Sequence, residues 1–423
     1  MAVSSSTPDV VVVGGGAIGT CIALELARRG ARVTLLERGA ELASGCSAGN
    51  AGLICPSHDT PLANPGALRE GLRFMAKPDS PFYLRPRPAV LPWIARFVAA
   101  STPQKARASA RVIRALSSAS LALHAELADG GLDTGLERRG VLNVYGTDDG
   151  FATAKREAGE AARLGLRCEV LDGGQARELE PALAGNPVGA VYYPDDAHCD
   201  PLRFVRAVGE AAAAAGTAIR TGVEALGLRR RGGRVEAVVT TAGDIEAGSV
   251  VVAAGAWTPL LARELGLYVP VEGGKGYHVD LERGEGDPRL PIWLQEARVI
   301  ATPLAGRLRL AGTLELAGLD LSVDRRRVDA VLRAGRRGLA GLERRSVLEV
   351  WRGLRPCTPD GVPIVGRPEA LENLVLATGH GMMGLTLAPI TGRLVAELVT
   401  GEKPSHDLRP LRPDRFQPLF GRD

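Results

Sequence analysis

The sequence predicts an α/β fold that opens on a Rossmann-like dinucleotide-binding crossover. Three observations carry this expectation. A β-branched run, Asp9 to Val13, enters the glycine cluster Gly14-Gly15-Gly16-Ala17-Ile18-Gly19. Ile18, Ile22 and Leu26 then recur at helical spacing until Gly30, a natural helix stop. A second strand, Arg32 to Leu36, ends on Glu37, 23 residues after Gly14.

Each piece has a physical task. Gly14 permits a tight turn, Gly16 lets a pyrophosphate approach the backbone, and Gly19 lets helix and strand pack closely. The helix mouth at Ala17 and Ile18 aims free N–H groups and a partial positive charge at phosphates. Glu37 accepts hydrogen bonds from both ribose hydroxyls of an adenosine, with Arg38 beside it. A carboxylate there disfavours a 2′-phosphate, so FAD or NAD is expected over NADP. Spacing alone does not choose between those two.

Composition bounds the rest. The chain has 423 residues, enough for two or three domains. Its formal net charge is +4, too small an excess over this length for a dedicated nucleic-acid binder. Aromatics make up only 4%, so the core must be mostly Ala, Val and Leu. Six cysteines (Cys21, Cys46, Cys55, Cys168, Cys199, Cys357) form no C-x-x-C pair, which reads as free thiols in a reducing cytosol. Met1 to Pro8 is short and polar, with no basic region of a signal peptide. No run is apolar enough to span a membrane. Ala89 to Ala100, with Trp93, Phe97 and nearby Arg85, Arg87 and Arg96, suits either an interfacial helix or a core or lid helix.

Further segments carry a family resemblance. Ser44-Gly45-Cys46-Ser47-Ala48-Gly49-Asn50-Ala51-Gly52-Leu53 resembles the flavin-contacting loop of the D-amino-acid oxidase superfamily. Gly216 to Val252 reads as strand, hairpin with its turn at Arg231 to Arg234, and strand, entering Ala254-Gly255-Ala256-Trp257. That is similar to the superfamily's second nucleotide contact, where a backbone group near Val223 holds the adenine. Trp351-Arg352-Gly353-Leu354-Arg355-Pro356-Cys357-Thr358-Pro359-Asp360-Gly361-Val362-Pro363 resembles a run shared by D-amino-acid dehydrogenases and glycine oxidases. Ala377 to Thr386, which includes Gly381, Met382, Met383, Gly384, Leu385 and Thr386, resembles their closing flavin loop. A helix from about 388 to 398 follows. The resemblance runs from about residue 9 to 402. The Met382 to Leu385 loop and Lys275-Gly276-Tyr277-His278 resemble members acting on D-hydroxyproline or D-proline.

The resemblance implies an FAD-dependent D-amino-acid dehydrogenase that passes hydride from Cα to flavin N5 and yields an imino acid. Arg355 is the expected carboxylate anchor, because a guanidinium fork both attracts and orients a carboxylate. Tyr277, after a Gly-Lys-Gly turn, matches a tyrosine that donates to the same carboxylate; a strand tyrosine packed outward is the bland alternative. His278 alternates with it and is expected on the other strand face. Asn50 touches flavin or amine, or holds its own loop. His58 and His380 have no assigned chemistry, and no general base is assigned. The tethering position of sarcosine oxidases falls on Gly353, four residues from Cys357, so FAD is expected to be non-covalent. Met382 and Met383 read as loop packing or as a soft apolar wall.

The expected architecture is a discontinuous FAD-binding domain (1–57, 200–266, 350–423) and an α+β substrate domain (58–199, 267–349) on a mixed, largely antiparallel sheet. The implied partners are a small D-amino acid and an electron acceptor such as a quinone or other carrier, with no nucleic acid and no metal. A cytoplasmic location is expected, with peripheral contact at the inner membrane's cytoplasmic face left open. Two other readings remain: a glycine- or sarcosine-type amine oxidase using oxygen, and a flavin subunit of an electron-transfer complex.

Overall fold

Five of the six strands in the sheet built on the amino-terminal crossover run parallel. The computed structural model describes residues 9–74 and 82–416, so Met1 to Pro8 and the expectation placed on it lie outside the described residues. The spatial order is Ile364–Gly366, Leu374–Thr378, Ser249–Val252, Asp9–Val13, Arg32–Leu36 and Ala218–Arg220. Only the first pair is antiparallel. Val10 to Val13 are all buried, as a parallel strand covered on both faces requires. The helix Ala17–Arg28 packs against Ala388–Thr400 and Pro201–Ala214. Gly30 closes it at φ +81°.

A nine-stranded mixed sheet stands beside the first. Its order is Val347–Cys357, Glu272–Glu282, Arg307–Leu316, Val299–Leu304, Ile292–Leu294, Val141–Tyr145, Gly189–Tyr193 and Glu169–Asp172, with Phe82–Leu84 also paired to Arg307–Leu316. Two pairings are parallel and the others antiparallel. The helix Arg325–Gly338 covers one face, setting Val328, Val331 and Ala334 against Tyr277, Val279, Leu281, Leu308 and Leu310. The opposite face looks onto the loop that follows Glu37. The strand Val347–Cys357 lies wholly in this sheet and runs across residue 350.

The hairpin Ala225–Arg231 and Arg234–Thr240 turns through Gly232 at φ +57°. In the stretch between the two sheets, Leu91–Ala100 follows a short 3₁₀ turn. Trp93 is buried, stacks on Phe97 and donates from Nε1 to the Cys357 carbonyl at 3.0 Å. This helix therefore packs on the sheet through the aromatic residue that an interfacial helix would present outward, while Leu91 and Val98 stay exposed. Among the described residues no helix is long and apolar enough to cross a membrane.

Candidate active site

A cavity of about 290 Å³ runs from Glu37 to Arg355, between the mouth of the Ala17–Arg28 helix and the nine-stranded sheet. At one end the chain turns at Gly14, φ +115°, where a Cβ would lie 2.5 Å from the Ala253 carbonyl oxygen. A Cβ on Gly19 would lie 1.8 Å from the Gly14 carbonyl oxygen, so the helix reaches the strand only because that position is bare. Gly14, Gly16, Ala17 and Ile18 line the cavity and Gly19 does not. The Ala17 N–H at the helix mouth donates to Ser47 Oγ at 3.0 Å.

Glu37 is buried at the cavity wall. Its Oε2 accepts from the Gly15 N–H at 2.8 Å and its Oε1 from the Gly39 N–H at 2.7 Å, with the Ser44 hydroxyl also on Oε1 at 3.2 Å. Ser44 itself lies behind the acid and not on the cavity. The sequence reading passed over Gly15, where a Cβ would stand 2.8 Å from Glu37 Cβ. The Val223 N–H donates to the Glu37 carbonyl at 3.0 Å. The Arg38 guanidinium lies 3.7 Å above the Trp257 ring, and both line the cavity with Val223, Ala254 and Gly255. A Cβ on Gly45, Gly255 or Gly381 would meet no protein atom within 4 Å, although all three line the cavity. Bare backbone thus faces open space along its length, which fits an extended dinucleotide.

At the other end, Ser47, Gly49 and Asn50 face Gly381, Gly384 and Leu385 across the cavity. Asn50 holds loops together: Oδ1 accepts from the Gly52 N–H at 2.8 Å and Nδ2 donates to the Met382 carbonyl at 3.3 Å. Asn50 is the last lining residue of the loop, with the Ala51 amide in its following peptide bond, and from Gly52 and Leu53 on the chain leaves the cavity. The Thr386 hydroxyl donates to the Leu53 carbonyl at 3.0 Å. Met382 is 41% exposed, and Met383 packs on the core beneath the first sheet. These two are therefore not the cavity wall. His380 does line the cavity, bonded from Nε2 to Thr391 Oγ1 at 3.0 Å, and burial pushes its pKa down to about 3.

Arg355 closes this end. Its Nη1 donates to the Thr313 carbonyl at 2.8 Å, and among the described residues no carboxylate pairs with it. Burial pushes the guanidinium below its ordinary pKa. The guanidinium lies over Gly276, where a Cβ would come within 2.1 Å of Nη1. Trp351, which the sequence reading left without a role, also lines the cavity. Its ring fits because Gly49 and Gly353 are bare, and it stacks on His278 at 5.1 Å and 8°.

Tyr277 is not at the site. It is 1% exposed, and its hydroxyl accepts from the Asp324 N–H at 3.1 Å and reaches Glu315 Oε2 at 3.3 Å. The Gly-Lys-Gly expected as a turn lies inside the continuous strand Glu272–Glu282. Strand alternation therefore gives the cavity side to Gly276 and His278, and turns Tyr277 toward the Arg325–Gly338 helix. His58 stacks against Trp293 at 4.5 Å and lies outside the cavity lining. His278, Asp280 and Glu349 are close enough together to hold an ion, but Arg309 and Arg307 already occupy the Asp280 carboxylate. Cys357 is buried, and burial pushes its thiol up to about 12, far from a reactive thiolate.

Comparison with known proteins places this geometry. The model of the FAD dependent oxidoreductase family, DAO, matches residues 9–398. A D-amino acid dehydrogenase of Paramagnetospirillum magneticum is 36% identical over 416 residues, covering 96% of this chain and 98% of that protein. A D-amino-acid oxidase of Bradyrhizobium diazoefficiens is 33% identical, covering 96% and 98%. The crystal structure of glycine oxidase from Geobacillus kaustophilus superposes with a TM-score of 0.80 at 27% identity, covering 97% of this chain and all of that one.

Proposed function

This chain belongs to the FAD-dependent oxidoreductase (DAO) family, and from that premise we propose that it oxidises the Cα–N bond of a D-amino acid. One observation carries the substrate half of the reading: the half-buried Arg355 guanidinium at the cavity end, with no carboxylate partner among the described residues. A buried cation is costly unless paired, and a substrate carboxylate would supply the pair. Bound FAD supplies the two-electron acceptor. The chain's own work is then to bind and orient. Arg355 fixes the carboxylate, Gly276 leaves the guanidinium room, and Trp351 walls the cavity beside it. His380 stays neutral and adds no charge near the reacting carbon. Desolvation beside Arg355 lowers the substrate amine's pKa, so it enters neutral without a protein base. Loss of hydride from Cα leaves an imino acid, which water hydrolyses.

D-Proline and cis-4-hydroxy-D-proline are the first substrates to try. Electrons then leave to a quinone or another carrier. FAD is held without a covalent bond, in the parts 1–57, 200–266 and 350–423, while 58–199 and 267–349 shape the substrate side and the Val347–Cys357 strand spans the border. Anaerobic mixing of the yellow holoprotein with D- and L-amino acids tests the reading. Bleaching by D-isomers supports it, and bleaching by L-isomers alone refutes the stereochemistry. The likeness to glycine oxidase and to a D-amino-acid oxidase favours a second reading, direct reduction of oxygen. Hydrogen peroxide formed at the rate of turnover would select it.

A further inference from the structure

The loop that follows Glu37 is gripped from outside the cavity by a side chain that no comparison assigns. Arg309 stands on the Arg307–Leu316 strand and is 3% exposed. Its Nη1 donates to two carbonyls of the loop, Ala48 at 2.6 Å and Asn50 at 2.9 Å. Its other edge forms a two-bond fork with Asp280, Nε to Oδ1 and Nη2 to Oδ2, both 2.8 Å. The carbonyl between them, Gly49, meets His278 Nδ1 at 3.3 Å. Three successive carbonyls are therefore turned toward one charged seam.

A trans peptide points its C=O and N–H in opposite directions. No peptide bond in the described chain is cis. With the Ala48 and Asn50 carbonyls held by Arg309, the N–H groups of Gly49 and Ala51 are driven to the far side of the loop. Gly49 and Asn50 line the cavity there. The Asn50 N–H is used within the loop, on the Ser47 carbonyl at 3.1 Å. Neither the Gly49 nor the Ala51 N–H has an acceptor among the described residues. Two donors are left pointing away from the guanidinium, and unmade backbone bonds in a closed site are costly unless a ligand takes them.

We infer that Arg309 is a positioning residue for the cofactor: it presets the Gly49 and Ala51 amides as hydrogen-bond donors to the electron-rich polar edge of the flavin. Donors fixed before charge arrives favour the reduced ring over the oxidised one. The grip therefore acts on affinity and on redox potential. This inference rests on flavin occupying the cavity and is independent of the substrate.

The variant to make is Arg309→Gln. Asp280 is not stranded by it, because Arg307 Nε also pairs with Asp280 at 3.0 Å. The expected result is FAD affinity at least tenfold weaker, by quenching titration of the apoprotein, and a flavin midpoint potential lower by about 30 mV, the two-electron equivalent of tenfold. Asp280→Asn keeps both carbonyl bonds and is expected to keep the native potential. A coloured Arg309→Gln holoprotein with native affinity and potential overturns the inference, even if its melting temperature falls. Equal shifts in both variants also overturn it, since the ion pair rather than the carbonyl grip would then be responsible. Amide exchange on the native chain tests it without substitution. The Gly49 and Ala51 amides should exchange freely in the apoprotein and gain protection with FAD, whereas Asn50 is protected in both. Equal protection of all three before and after loading counts against it. A chain that never takes up flavin defeats the cofactor reading itself, a separate failure.

Discussion

Two cations, one buried and one half-buried, sit on neighbouring strands of the same sheet, and they live in opposite environments. Lys275 is 1% exposed, with Asp320 at 3.1 Å, Glu315 at 3.4 Å and the Ser322 carbonyl at 2.9 Å around its Nζ. Burial pulls its pKa down, but the Asp320 hydrogen bond and the Glu315 charge outweigh it and the net shift is upward. Arg355 has only a carbonyl and two thiols near its charge, and burial lowers its pKa. The first cation is neutralised by its own chain. The second is neutralised by nothing among the described residues and opens on a cavity. Burial and charge alone do not mark a site; the missing counter-charge does.

That contrast can be broken by substitution. Arg355→Ala should lower kcat/KM by about 10³-fold, roughly 4 kcal/mol of lost charge-pair binding, while the melting temperature holds or rises. A falling melting temperature with native kcat/KM would make Arg355 structural. Lys275→Met should do the reverse. Arg327 and Arg85 still reach Glu315 and Asp320, so losing the ammonium should cost about 2 kcal/mol in chemical denaturation, with kcat/KM of the folded protein within threefold of native.

Gly276→Ala sharpens the comparison. The new methyl must displace the guanidinium, so KM should rise about tenfold, some 1.4 kcal/mol, at nearly native stability. Native KM would mean that the guanidinium position does not matter. Tyr277→Phe is the smallest test. It removes a buried hydroxyl from the Lys275 side and should cost about 1 kcal/mol of stability with unchanged KM. A raised KM with unchanged stability would return Tyr277 to the substrate.

The crossover was legible because its information is local. The Asp9–Val13 strand, the Ala17–Arg28 helix and the acid at Glu37 each follow from residues adjacent in the chain. Arg355 was legible only through its resemblance to a known run, since nothing in composition separates it from the chain's other arginines. The sequence alone puts Tyr277 at the site because Gly274 and Gly276 look like a turn, whereas both lie inside the strand Glu272–Glu282. Two glycines at alternate strand positions mark instead a face on which something comes close, here the Arg355 guanidinium. Trp351 carried the same signal in Gly353, two residues along its own strand.

Arg309 left no signal at all. Its partners Ala48 and Asn50 lie about 260 residues away, 261 and 259 positions in the chain. Local pattern sets which residues turn, coil or extend, because backbone sterics and side-chain periodicity act over a few positions. Which cation keeps a counter-charge, and which amides a distant guanidinium turns outward, depends on strands brought together only when the sheet closes. Those pairings cost loop entropy and dehydration that only the assembled fold offsets, so they belong to the tertiary structure.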